Sequence, residues 1–306
     1  MNALLRKAVD QEYWRALCPD MSILDSYSPR RPNCAPLTSD QEAAAGKHLA
    51  RHGYFQMPEL TPIEVITRMH GSVEAVRAAG WPAVFTFVYD EFWSIFRTPP
   101  LAQFLNRQLG AGYVQTSPIW TYYVDPRKAA SGWRPHVDSR LAERLTLWIP
   151  LTAATIGSGC IYVIPRDKVP DSLPDRFLDW SSVSRGELRV LLQNVTPLPA
   201  SPGAVLGWNH SLIHWGGPAR DPRSAPRISI SVEFIKEGVT PKRRETPVID
   251  TGLPNFATRL RAIGQAILAY EKFEPAMRRY SALANEIVSS TNPEGSERAS
   301  ERPMLS

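Results

Sequence analysis

The chain has 306 residues, 43% of them hydrophobic and 21% charged, the balance of a globular protein long enough to bury its own core. Only three cysteines occur (Cys18, Cys34 and Cys160), with no CxxC spacing, which argues against a disulfide scaffold or a zinc ribbon and favours a reducing cytoplasm. The net charge of +5 is scattered among acids, Lys242-Arg243-Arg244 is the only dense basic cluster, and no stretch approaches the roughly 18 apolar residues of a membrane span, so neither nucleic acid nor membrane is an expected partner.

In chain order, the opening MNALLRKAVDQEYW is broken by charges and does not read as a signal peptide, so a cytoplasmic location is expected. Ser39-Asp40-Gln41-Glu42 opens a capped helix running to about His52. Thr61-Pro62 reads as N-cap and N1 of an amphipathic helix that stops at Gly80. Residues 83–109 carry a further helical pattern rich in aromatics, interrupted at Pro99-Pro100. The first 110 residues are therefore read as mostly helical.

The texture changes after Gly112. VQTSPIWTYYV, RLTLWIPL, CIYVIP, GAVLGW and RISISVEFI are short β-branched and aromatic runs separated by Pro, Gly and Ser, the pattern of an all-β sandwich or barrel. A helix near Arg185–Gln193 interrupts them, and helical periodicity returns over 254–288. The tail from 290 to 306 is polar and expected to be disordered. The 28 prolines punctuate the chain rather than forming a tract, and no repeat is visible. The expected organisation is one domain over 1–290, with helices over residues 1–110, a β core over 111–236 and C-terminal helices over 254–288.

The chemistry concentrates in the β core. In Trp133-Arg134-Pro135-His136-Val137-Asp138, residues i and i+2 of an extended segment share a face, so His136 and Asp138 can offer an imidazole nitrogen and a carboxylate oxygen to one ion. A lone His-x-Asp is a common accident. A second segment, Pro202–Gly217, adds His210 and His214, four residues apart, which strand parity cannot separate. Then RISISVEF alternates: Arg227, Ser229, Ser231 and Glu233 share one face, and Ile228, Ile230, Val232 and Phe234 the other. An arginine pointing into a core needs a buried anion, and its planar fork suits a carboxylate, with the Ser229 hydroxyl as a third donor. Trp133, Trp208 and Trp215 flank these positions and are candidates for a pocket wall. Arg134 and Arg140 read as solvent-exposed, while His48, His52 and His70 lie in helices without an HExxH pattern and read as structural.

Taken together, the stretch from about Thr121 to Phe234 resembles the phytanoyl-CoA dioxygenase-like branch of the iron(II)/2-oxoglutarate oxygenases. The resemblance rests on His136-x-Asp138, Leu145–Leu151, Gly159-Cys160 with Pro165, His214 and Arg227, in that order. It implies a double-stranded β-helix (jelly roll) braced by terminal helices. It also implies iron(II) on His136, Asp138 and His214, and 2-oxoglutarate held by Arg227 and Ser229 with Trp148 beside it. His214 rather than His210 is the implied ligand, because it lies 13 rather than 17 residues before the arginine. A lysine common in the family is missing from Trp120–Val124, and Tyr123 is expected to serve the cosubstrate instead. Arg166-Asp167-Lys168 stands where the family often has Gly-Ser-His, and nothing resembles a CoA site.

The implied activity is hydroxylation or desaturation of a small organic metabolite, with O₂ and 2-oxoglutarate converted to succinate and CO₂. Asp138 argues against halogenation, which in this superfamily goes with a small residue at that position. Two rival readings remain open at this point: a cupin-like metal isomerase or hydrolase, and a non-catalytic jelly-roll binding protein.

Overall fold

Short runs of alternating polarity pair into sheets because each buries one face and needs partners for its backbone. In the computed structural model of the chain, which describes residues 3–24, 34–127, 134–140, 143–170, 173, 183–241 and 252–291, such runs supply eight strands. The N-terminal elements are α1 (Ala3–Val9), α2 (Gln11–Leu17), α3 (Ser39–His52), β1 (Tyr54–Glu59), α4 (Ile63–Ala78), α5 (Glu91–Ser94) and α6 (Pro99–Leu109). The middle of the chain forms β2 (Val114–Val124), β3 (Arg144–Pro150), β4 (Ile161–Ile164), α7 (Arg185–Gln193), β5 (Thr196–Leu198), β6 (Ala204–Asn209), β7 (Ile213–Gly216) and β8 (Arg227–Ile235). Helices α8 (Phe256–Tyr270) and α9 (Ser281–Ser290) close it.

The strands make two antiparallel sheets, one of order β1-β6-β3-β8-β2 and one of order β5-β4-β7. Alternation decides what lies on each face. Ile228, Ile230, Val232 and Phe234 of β8 and Leu145, Leu147 and Ile149 of β3 pack with Leu260, Ile263 and Ile267 of α8. Leu5 and Trp14 from the N-terminus and Leu283 and Ile287 from the C-terminus join the same core, so helices from both ends brace one sheet. On the other face, Trp148, Leu206 and Trp208 meet Ile161, Val163 and Leu198 of the small sheet. Each such side chain contributes roughly 1.5–3 kcal/mol on burial.

The helix boundaries follow local chemistry. A capping box joins Thr38 and Gln41 at the start of α3, which ends at Gly53 with φ +83°. Ser184 and Glu187 form another at the start of α7, in the place the sequence suggests. Pro62, rather than Thr61, is the N-cap of α4, so the helix starts one residue later than expected, with no side-chain cap. Pro99 and Pro100 open α6 rather than interrupting a helix, because the first turn requires no N–H from them.

One element departs from the expectation. The N-terminal third is not all helical: β1 pairs with β6, Tyr54 opposite Trp208, and forms an edge of the large sheet. Its sequence, YFQMPE, is short and contains a proline that an edge strand tolerates. Gly207, on β6, lets Phe55 of β1 and Leu147 of β3 close over the strand, since a Cβ there would lie 2.4 Å from the Phe55 ring. Trp133, Lys242-Arg243-Arg244 and the tail from residue 292 lie outside the described residues.

Candidate metal centre

The small sheet ends where the candidate ligands begin. His136 lies on an extended segment that bridges to His214 of β7, through His136 N–H to His214 O (3.0 Å) and His214 N–H to His136 O (2.9 Å). Two residues on, Asp138 N–H donates to His210 O (2.9 Å). This pairing places both histidines and the carboxylate on one side. One ligand atom from each of His136, Asp138 and His214 lies within 4.8 Å of the others. Asp138 Oδ1 is 3.6 Å from His136 Nε2 and 3.7 Å from His214 Nε2, near the roughly 3 Å span of two neighbouring ligands about 2.1 Å from one ion.

The hydrogen bonds behind these atoms fix their chemistry. His136 Nδ1 lies 2.7 Å from Arg134 O, and His214 Nδ1 lies 3.0 Å from Leu212 O. A carbonyl only accepts, so each Nδ1 carries the proton and each Nε2 presents a lone pair to the centre. Asp138 Oδ2 accepts from Thr146 Oγ1 (3.1 Å) and Trp208 Nε1 (3.2 Å). Burial pushes the His214 imidazole down to about 4, against the upward pull of Asp138. Burial disfavours the Asp138 charge, yet His214, His136 and His210 hold its carboxyl well below the usual range. Burial also lowers His136, and its interaction with Asp138 more than reverses that. Near neutral pH His214 is therefore neutral and Asp138 ionised, while His136 is held toward its protonated form and would give up its Nε2 proton on taking a metal, which completes a donor set that transition metals favour.

A cavity of about 340 Å³ opens from this cluster and runs along β8. At one end Arg227, 2% exposed, donates from Nη1 to Ser229 Oγ (3.2 Å). Its Nε is buried with no partner, and among the described residues no carboxylate pairs with it. Burial pushes the guanidinium down to about 10. Trp148 stands beside it, its ring 5.8 Å from the guanidinium carbon and its own Nε1 buried without a partner. Gly216 leaves room for the fork, for a Cβ there would sit 3.2 Å from Arg227 Nη2. Such a cluster of buried donors is suited to an anion.

Tyr123 does not reach this cavity. Its hydroxyl donates to Glu74 Oε1 (3.1 Å), and the Arg77 guanidinium lies 3.4 Å from its ring centre, on the α4 side of the sheet. The neighbouring Tyr122 lines the cavity instead, opposite Ser229 in register and hydrogen-bonded to Ser231 and Tyr270. A register shift between Gln115 and Ile119, around Pro118, interrupts the alternation of β2, so its parity could not be counted from the strand start.

Of the flanking tryptophans, Trp208 lines the cavity, while Trp215 stacks on Tyr162 (5.5 Å, 10°). Arg134 and Arg140 are exposed. His48 bonds to Tyr54 O (2.9 Å) and His52 to Asp167 (2.7 Å), both in structural roles away from the cavity. Several wall residues escaped sequence reasoning. Thr146 lies inside the Leu145–Leu151 run, which carried the resemblance without a role for the threonine, and Tyr270, Lys272 and Phe273 arrive from the end of α8, far along the chain. Alternation along β3 was the one available signal, since it puts Thr146 on the face of Trp148.

No protein-family profile matches the chain, and no curated protein does. Solved structures do. SnoN, described as the non-heme α-ketoglutarate-dependent epimerase from nogalamycin biosynthesis, is similar over 70% of this chain and 98% of its own, at 16% identity and a TM-score of 0.55. Its complex with Fe³⁺, α-ketoglutarate and nogalamycin RO matches over 65% and 85%, at 15% identity and 0.53. The nickel complex of ThoJ, described as a non-heme monooxygenase, matches over 76% and 99%, at 12% identity and 0.53. Similarity at this level of identity establishes a shared fold.

Proposed function

We propose that this chain is an iron(II)/2-oxoglutarate-dependent dioxygenase of the phytanoyl-CoA dioxygenase-like kind, a single domain over about 1–290 built on a double-stranded β-helix. Its reaction is the hydroxylation or desaturation of a small organic molecule. The observation that carries the proposal is one cavity with two ends: a His-Asp-His cluster within 4.8 Å and, further along β8, a buried arginine that pairs with no acid among the described residues. SnoN and ThoJ, whose names carry non-heme and, for SnoN, α-ketoglutarate chemistry, support the same reading through their fold. The absence of a disulfide among the three cysteines fits the cytoplasmic setting proposed for it.

In this reading His136 and His214 ligate through Nε2 and Asp138 through Oδ1. Bound iron with 2-oxoglutarate supplies the oxidising chemistry, in which O₂ is consumed, the keto acid leaves as succinate and CO₂, and a substrate C–H bond is oxidised. The residues of the chain bind and orient. Arg227, with Ser229 beside it, takes the far carboxylate of the cosubstrate in its fork, and Trp148 and Tyr122 wall the same end. The Nδ1 bonds of both histidines hold their rings in the tautomer that ligates. Trp208, Tyr270 and Phe273 border the remaining space, which limits water near the reacting carbon and receives the substrate.

The test is anaerobic titration of the protein with iron(II) and then 2-oxoglutarate, followed by visible absorption. The expected result is a weak charge-transfer band that requires both additives. Metal binding without that band would sink the proposal in favour of a metal enzyme that uses no keto acid. A screen of candidate metabolites for stimulated succinate release would then identify the substrate.

A further inference from the structure

We infer that His210 and Thr146 position the Asp138 carboxylate so that a metal meets only its Oδ1. The inference rests on the metal centre proposed above and assigns a role to the histidine that ligation leaves over. A carboxylate oxygen has two lone pairs, and Asp138 Oδ2 receives two donors, Thr146 Oγ1 at 3.1 Å and Trp208 Nε1 at 3.2 Å. Both lone pairs of Oδ2 are thereby used.

The direction of the chain of bonds follows from counting protons. Thr146 has one hydroxyl proton and the carboxylate has none, so that proton goes to Oδ2. The Thr146 oxygen is then an acceptor, and the group facing it is His210 Nε2 at 3.1 Å. His210 must therefore carry its proton on Nε2, which leaves Nδ1 to accept from Ser139 Oγ at 3.4 Å. The backbone of the same residue acts on the other end of Asp138: His210 O accepts from Asp138 N–H (2.9 Å) and Ser139 N–H (3.1 Å). His210 is 2% exposed and Thr146 6%, so water does not compete for the bond between them, while Asp138 stays open to the cavity. Glu233 Oε2, on the cavity wall, lies 3.7 Å from His210 Nε2 and favours the same ring orientation. The consequence is a carboxylate that would offer a metal one oxygen atom, Oδ1.

Cobalt(II) binding by the full chain tests this, with affinity from competition against a chromophoric chelator and geometry from the visible cobalt spectrum. Thr146→Val keeps the shape of the side chain and removes the hydroxyl; its affinity is expected to fall about 10- to 100-fold, with a changed spectrum as the freed carboxylate rotates. Thr146→Ser should restore both. His210→Phe should weaken binding, and His210→Gln, whose side-chain amide can still donate to Thr146, should recover much of it. The Thr146→Val/His210→Phe double variant should bind no more weakly than Thr146→Val alone, because both act through one bond. Wild-type affinity and spectrum in Thr146→Val and His210→Phe, or additive losses in the double variant, would overturn the inference and leave the metal centre standing. Failure of the wild-type protein to bind cobalt would remove the metal centre itself. Should Thr146→Val not fold, the comparison of His210→Phe with His210→Gln decides.

Discussion

Replacing Arg227 with methionine should move stability and cosubstrate affinity in opposite directions. In the ligand-free protein the guanidinium is buried, donates to Ser229 Oγ, and leaves Nε without a partner. Exchanging such a poorly compensated buried charge for an apolar side chain of similar length is neutral to stabilising by roughly 1–4 kcal/mol. At about 2–4 °C per kcal/mol for a domain somewhat smaller than this one, the melting temperature should stay level or rise by up to roughly 10 °C. Binding behaves otherwise, since losing one partner of a buried charge pair costs about 2–5 kcal/mol. At about 1.4 kcal/mol per tenfold, 2-oxoglutarate affinity should drop roughly 30- to 4,000-fold. Thermal melts read both effects in one assay. Relative to metal alone, 2-oxoglutarate at about 100 times the wild-type Kd should stabilise the wild type by about 2.7 kcal/mol and Arg227→Met by less than about 1 kcal/mol. A variant that melts well below the wild type without ligand, yet still responds fully to 2-oxoglutarate, would refute the reasoning and make Arg227 a structural residue.

Further outcomes follow from the same geometry. Tyr122→Phe should raise the 2-oxoglutarate requirement measured by succinate release, whereas Tyr123→Phe, which loses only a contact to Glu74, should leave it unchanged. Arg259 is buried and ion-paired with Asp90, so Arg259→Met should strand that carboxylate and cost about 3–5 kcal/mol in denaturant unfolding, with Asp90→Leu in the same chain recovering some of the loss. In the metal-free protein, burial holds the His214 pKa at about 4, against 6.5 for the ordinary imidazole. Above 6.5 neither folded nor unfolded His214 binds a proton. Between 6.5 and 4 the unfolded chain takes one up and the folded chain does not, so stability is lost as pH falls through that window, by on the order of 3 kcal/mol. Melts of His214→Leu against the wild type across pH 4–7 should show a shallower acid-side loss in the variant; parallel curves would contradict the assignment. Gly207→Ala should destabilise by about 1–3 kcal/mol, because the added methyl meets the Phe55 ring and Leu147.

Much of the layout was legible because it depends on local pattern. The five runs read as strands coincide with β2, β3, β4, β6 and β8 to within one residue at each end, and α7 falls on Arg185–Gln193 as expected. Alternation in RISISVEF assigned Arg227 and Ser229 to the interior before any contact was known, since a strand alternates faces whatever surrounds it. His136 and Asp138 were linked by the same period of two. β1 was hidden by its brevity and its proline, and it becomes a strand only because β6 offers it an edge.

What remained needed the tertiary structure, for reasons that can be named. His210 and His214 share a parity and a segment, and only the bridge from His136 to β7 brings His214 to Asp138 while turning His210 toward Thr146. Tyr122 rather than the expected Tyr123 lines the cavity, and with a register shift near Pro118 the facing of β2 could not be counted from the start of the strand. Tyr270, Lys272 and Phe273 join the cavity from a helix far down the chain, a closeness that no local period encodes. The amino-acid order determined which groups were present and which faces they took along each strand. Packing of one sheet against another decided which of them meet, because strand periodicity carries no information about neighbours distant in the chain.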